Sequence, residues 1–202
     1  MEEIIELVSA NSCEDESEIL ATVTNRLYFF GEVEEENSLK FIKELHEMTD
    51  ILIYYYEKYT DKFIEKFGNN LIIYLSTQGG SIHEGFAIYQ AIKECSRYFN
   101  IVIHCYGKIM SAGLLILAAG NERVSSQNTT FMVHEAWLSA TGHTSHLLNE
   151  TSDLKRISHK YLETLKKEFG NDGIRNLIKP NINTYFSTTK AKRLNILTKI
   201  IR

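Results

Sequence analysis

The fold turns on LIIYLSTQGGSIHEGFAIYQAIKEC, residues 71–95. Its first six residues, LIIYLS, form a short and almost wholly apolar run, the composition that a buried parallel strand needs. The run breaks at Gly79-Gly80, and SIHEGFAIYQAIKEC (81–95) continues as a helix. The same unit recurs downstream. IVIHCYG (101–107) is a second apolar strand, which turns through KIMS (108–111) into the helix AGLLILAAG (112–120). TTFMVHE (129–135) is a third strand, leading through a glycine-containing stretch into a long helix over about 146–168. Strand and helix alternating at this rhythm predict an α/β fold built from right-handed crossover units. Upstream, RLYFFGEV (26–33) reads as an aromatic-rich strand ending in a turn. Leu39, Ile42, Leu45, Met48, Leu52 and Ile53 then recur at helical spacing over 37–66. After Gly170, a shorter helix, the single proline Pro180 and a last amphipathic helix close the chain.

The 202 residues suit one domain, and 44% hydrophobic content gives an adequate core without disulfide or metal staples. Residues 21–202 are expected to form that domain. Residues 1–20 carry an acidic charge run and are expected to be frayed or locally helical. A net charge of −4 offers no electrostatic footprint for nucleic acid or an anionic membrane. Cys13, Cys95 and Cys105 have neither zinc-like spacing nor an even count, which favours free thiols and a reducing compartment. Cys105 reads as a small apolar filler in its strand. The first residues lack a basic stretch followed by an apolar core, so no signal peptide is evident. The longest apolar segment, at 112–120, falls well short of the roughly 20 residues needed to span a bilayer. The expected location is the cytosol.

Two strand-to-helix turns stand out for chemistry, one at Gly79-Gly80 and one at Ser111. Each places backbone N–H groups at a helix N-terminus, where they lack intrahelical partners and carry partial positive charge. Such groups stabilise a developing oxyanion in acyl transfer. Glycine permits a substrate backbone to approach closely and allows positive φ, although a Gly-Gly pair after a strand is more often simple turn chemistry. Ser111 taken alone suits a helix N-cap. The nucleophile elbow of α/β-hydrolases does not fit, because Ile109 stands where that motif requires glycine. His134 ends the third strand, and by itself it reads as a strand-end histidine bonded to backbone. A serine hydroxyl, however, needs a base of matched pKa, and histidine is the usual one. Taken together, the three features favour a nucleophile, a base and an oxyanion site.

These residues resemble the proteolytic subunit of the Clp ATP-dependent protease. That family's recurring segments read Asn-Ser-Pro-Gly-Gly-Ser, Gly-Gln-Ala-Ala-Ser-Met-Gly-Ala and Met-Ile-His-Gln-Pro. Their counterparts here are STQGGS (76–81), GKIMSAGL (107–114) followed by LAAG (117–120), and MVHEA (132–136). The match extends upstream through FFGEV (29–33) and downstream to KAKRL (190–194). The resemblance implies a crotonase-like α/β fold with a long handle helix. It also implies a serine endopeptidase that cuts unfolded polypeptide inside a chamber of stacked heptameric rings, a homo-oligomer of up to fourteen copies. ATP would be used only by a partner Clp-type AAA+ unfoldase, and the chain itself would need no cofactor or metal. By position, Ser111 matches the nucleophile and His134 the base, while the N–H groups of Gly80 and Ala112 match the oxyanion hole. Gly79, Gly80, Ser81 and Ile82, with Ala136 and Trp137, match the segments that pair with substrate as an added strand. Main-chain pairing of that kind tolerates many substrate sequences.

The chain departs from the family at several positions. Asn183 stands where the family carries the aspartate that orients the histidine. An amide stabilises an imidazolium poorly, and in chymotrypsin the corresponding change costs about ten-thousandfold in turnover. Three readings stay open. Asn183 orients His134 well enough for a slow enzyme, another acid such as Asp172 substitutes, or the subunit is weakened or non-catalytic within a mixed ring. Gln78 and Ala136 replace prolines of the family blocks, and MEEIIELVSANS lacks the proline-containing start that contacts the ATPase. An acyl-CoA enzyme of the crotonase type would share the fold, but no basic cluster is evident for a CoA phosphate. His143 and His146 have no acid set to complete a metal site. Tyr54, Tyr55 and Tyr56 suit core or subunit interface. The long helix interleaves Leu154, Ile157, Tyr161 and Leu165 with lysine and arginine, as an amphipathic element does.

Overall fold

A computed structural model describes residues 20–137, 139 and 141–201. Except for Leu20, the expectation for residues 1–20 lies outside these residues. In chain order the elements are β1 (Arg26–Val33), α1 (Glu35–Lys58), α2 (Thr60–Phe67), β2 (Asn70–Gly80), α3 (Ile82–Cys95) and β3 (Asn100–Met110). They continue with α4 (Gly113–Ala118), β4 (Glu122–Ser126), β5 (Thr130–Val133), α5 (Thr144–Phe169), β6 (Thr184–Ser187), α6 (Thr188–Arg193) and β7 (Lys199–Ile201). The strands form one seven-stranded sheet in the order β1-β2-β3-β4-β7, with β5 attached to β3 and β6 to β5. Every pairing is parallel except β5 with β6.

The central strands form where the apolar runs predict them. Leu71, Ile73 and Leu75 of β2 and Ile101, Ile103 and Ile109 of β3 are fully buried. α4, GLLILA, is apolar all round and buried all round, as such a helix must be. The covered face of the sheet therefore lies against α3 and α4. The opposite face of β1–β3 carries Tyr28, Phe30 and Tyr106, all at least half exposed. They join Tyr74 in a continuous aromatic set, Tyr28 stacking on Tyr74 at 4.9 Å and Tyr74 meeting Tyr106 at 5.5 Å. The apolar runs led to strands buried on both faces; within one chain only one face is covered.

Other differences have local causes. The helix expected over 37–66 is two helices, broken at Tyr59, whose φ of −136° and ψ of 47° leave the helical region. The apolar residues keep their spacing across the break, so periodicity alone does not reveal it. β2 runs on to Gly80 instead of stopping at Ser76, because Val33 of β1 pairs with Gly80. β4, β6 and β7 carry no alternation long enough to announce a strand; the last amphipathic helix is a short α6 followed by β7. Their pairing comes from the sheet edge that each one meets.

The element that positions the site is β3. Its first half pairs with β4, from Val102 to Cys105, and its last residues pair with β5, Met110 opposite Met132. Between the two partners lies Gly107, at φ 60°. A strand that changes partner needs a local break, and glycine takes positive φ without a Cβ clash. The ends of β3 and β5, at Met110 and Val133, thus lie side by side, with Ser111 and His134 immediately beyond them.

Candidate active site

The parallel pairing of β3 with β5 brings the serine and the histidine together. His134 Nε2 lies 2.8 Å from Ser111 Oγ, across 23 residues of sequence. Both side chains are half-buried. Burial lowers the His134 pKa below its ordinary value, with no charged neighbour contributing. The ring is therefore neutral at pH 7 and able to accept a proton from the hydroxyl.

Ser111 adopts φ 51°. Of the four described non-glycine residues at positive φ, the other three are asparagines, which tolerate this region best. For serine it costs about 1–2 kcal/mol and persists only where the surroundings over-determine it. They do so here. The Ser111 N–H donates to the Met132 carbonyl at 2.9 Å, and the Ser111 carbonyl accepts from the N–H of Leu114 at 3.0 Å. The buried hydroxyl of Tyr161, from α5, donates to the same carbonyl at 3.1 Å. Burial pushes the Tyr161 pKa up, which keeps that hydroxyl a donor.

The expected oxyanion groups border the same site. Among the described residues, the N–H of Ala112 donates to no protein acceptor. Gly79, at φ 90°, leaves no room for a side chain: a Cβ there would lie 2.7 Å from both the Met110 carbonyl oxygen and Ser111 Cβ. At Gly80, φ 146°, a Cβ would lie 2.3 Å from the Val33 carbonyl oxygen. The two glycines are thus the only means by which β2 runs between β1 and the serine turn. Ser81 then caps α3, its hydroxyl accepting from the N–H of Glu84.

A cleft of about 1120 Å³ gathers these groups. Gly79 to Ile82, Ser111, Ala112, His134, Ala136 and the exposed Trp137 all line it. α5 closes the side through residues such as Leu154, Ile157 and Tyr161, and His83 faces Asp153 at 3.8 Å across it. Tyr161 appeared in the sequence only as one apolar position on an amphipathic helix. Its polar tip points at a carbonyl 50 residues away, which no local pattern signals.

Asn183 is the exception among the expected residues. The β5–β6 register pairs Val133 with Thr184, so the next position brings residue 183 alongside His134. Yet the Asn183 side chain is exposed and does not line the cleft. Among the described residues, His134 Nδ1 has no hydrogen-bond partner. Asp172 is engaged elsewhere, 3.1 Å from Lys166. Neither candidate makes a hydrogen bond or ion pair with the imidazole. His146 lies 3.7 Å from Glu150 one helical turn on, and no cluster of three or more metal-ligating residues occurs among the described residues. No helix among them is long and apolar enough to cross a membrane.

The family model for Clp protease matches residues 63–202. The ATP-dependent Clp protease proteolytic subunit of Borreliella afzelii is 23% identical over 143 residues, covering 69% of this chain and 72% of that protein. The protein of the same name from Bdellovibrio bacteriovorus is 30% identical over 99 residues, 47% of this chain and 43% of that one. Among solved structures, an asparagine-to-aspartate mutant of ClpP1 from Listeria monocytogenes superposes with a TM-score of 0.69 at 20% identity, covering 92% of this chain and 95% of the other. That likeness bears on the fold, and the α/β architecture expected from the sequence is the one it supports. With the family match spanning most of the chain and the shared fold spanning nearly all of it, this protein belongs, as a divergent member, to the Clp protease family.

Proposed function

We propose that the chain is a serine endopeptidase subunit of a self-compartmentalised protease that hydrolyses unfolded polypeptides. The observation that carries this is the 2.8 Å contact between His134 Nε2 and Ser111 Oγ. Oγ attacks the peptide carbonyl carbon while His134 takes its proton, and the tetrahedral oxyanion faces the N–H groups of Gly80 and Ala112. His134 returns the proton to the leaving amine, and an acyl-enzyme remains on Ser111. Water then attacks with the same base, and the acid product leaves. Substrate lies as an extended strand between Gly79–Ile82 and Ala136–Trp137, both of which line the cleft.

Assembly into rings, with an AAA+ ATPase feeding them, is part of the same proposal. The relatives are named ATP-dependent proteolytic subunits. The aromatic face of Tyr28, Phe30, Tyr74 and Tyr106 gives apolar surface of the kind that subunit contacts cover. A fluorophosphonate probe labels Ser111 in the assembled protein, and Ser111→Ala abolishes both labelling and peptide cleavage. Assembled wild-type protein that takes no label would overturn the assignment.

A second reading is favoured by one observation: among the described residues, nothing orients His134 from its Nδ1 side. In that case the chain is a weakly active or non-catalytic subunit of a mixed ring. Co-purification with an active paralogue, and no cleavage by this chain alone, would select it.

A further inference from the structure

We infer that Tyr161 is a positioning residue that sets the direction of the Ser111–Ala112 peptide and so aims the Ala112 N–H into the cleft. The inference rests on the serine peptidase reading and adds to it a residue from a different element of the fold.

The Ser111 carbonyl and the Ala112 N–H belong to one peptide group. No described peptide bond is cis, so the two groups point in opposite directions. Whatever holds the carbonyl therefore aims the amide. The carbonyl is held on the protein side by the Leu114 N–H at 3.0 Å and by the Tyr161 hydroxyl at 3.1 Å. Among the described residues, the amide is left without a protein acceptor, on the side away from both. Leu114 supplies its bond from within the same turn, so it moves with the turn. Tyr161 supplies its bond from α5, an independent element, and is 7% exposed.

The 111–112 peptide turns through ψ of Ser111 and φ of Ala112, so it can rotate while Ser111 keeps its φ of 51°, and only the bonds to its carbonyl hold it. Rotation would turn the carbonyl toward the cleft and the amide away, leaving the oxyanion one donor short. Loss of one such donor costs about a hundredfold or more in turnover. The Tyr161 hydroxyl opposes that rotation, because turning the carbonyl away would leave the buried hydroxyl unpaired.

The test compares two isosteric hydroxyl deletions that both act on α5. Tyr161→Phe removes the bond to Ser111. Tyr89→Phe removes the 2.6 Å bond from α3 to Glu168 of α5, outside the cleft. Labelling rate, kcat and KM on a peptide substrate, and melting temperature are measured on assembled protein. Tyr161→Phe is expected to lower the labelling rate and kcat about tenfold or more with KM nearly unchanged, while Tyr89→Phe lowers only the melting temperature. Tyr161→Met, which fills the site without a donor, is expected to match Tyr161→Phe. Labelling of Tyr161→Phe within twofold of wild type overturns the inference, as does a loss seen with Met but not Phe, since that reports packing. Wild-type protein that takes no label defeats the peptidase reading itself, and the inference with it.

Discussion

The two nitrogens of His134 face very different surroundings. On the Nε2 side everything is fixed: parallel pairing of β3 with β5, glycines at 79 and 80 cut to the shape of the turn, and a serine held at positive φ by three hydrogen bonds. On the Nδ1 side β6 brings Asn183 into register and then leaves its side chain in solvent. The nucleophile side is built by strands packed into the core through one face, where backbone geometry tolerates little variation. The other side presents a single exposed residue, Asn183, just before β6. Core packing thus holds the Ser111–His134 pair together, whereas the residue beside the far nitrogen can vary at the surface without cost to the fold.

That contrast is open to direct attack. The largest effect is expected from Gly79→Ala, which drives a methyl into Ser111 Cβ and the Met110 carbonyl. Misplacing the hydroxyl by even about 1 Å costs on the order of a hundredfold, so labelling and cleavage fall at least that far. The strained φ adds about 1–3 kcal/mol of destabilisation, read from chemical denaturation. Retained activity in this variant would mean that the serine turn is not held as tightly as its contacts imply.

Asn183→Asp sharpens the other side. A carboxylate beside the Nδ1 position orients the ring and stabilises the imidazolium, so turnover rises by about tenfold, a smaller effect than in chymotrypsin because the position is exposed. Unchanged turnover would show that residue 183 does not reach the ring even when charged.

The smallest effect concerns pH. Burial depresses the His134 pKa, so on the serine peptidase reading the base stays neutral, and activity is expected to persist, down to below about pH 6.5. Activity falls only as acidification protonates the ring. In Asn183→Asp the new negative charge favours the imidazolium, and the acid limb of kcat/KM moves to higher pH. A limb that stays where it is would separate any gain in turnover from electrostatics.

Much of this was legible before any coordinates. The apolar runs at 71–76 and 101–107 report strands because their burial is continuous, and the blocks around Gly80, Ser111 and His134 carry the family pattern. The cleft gathers those residues with Ser81, Ile82, Ala112, Ala136 and Trp137. β4, β6 and β7 were invisible because strands of only three to five residues have no periodicity to show.

The amino-acid order by itself settled which residue types stand at the ends of which buried segments, since hydrophobic pattern is a local record of burial. Three matters were left to tertiary packing: the positive φ of Ser111, the tyrosine hydroxyl that reaches its carbonyl from α5, and, among the described residues, the unpartnered Nδ1 of His134. Each depends on groups tens of residues apart and on whether they meet at hydrogen-bond distance. Distances of that kind follow from how strands share edges and helices pack, and no stretch of neighbouring residues encodes them.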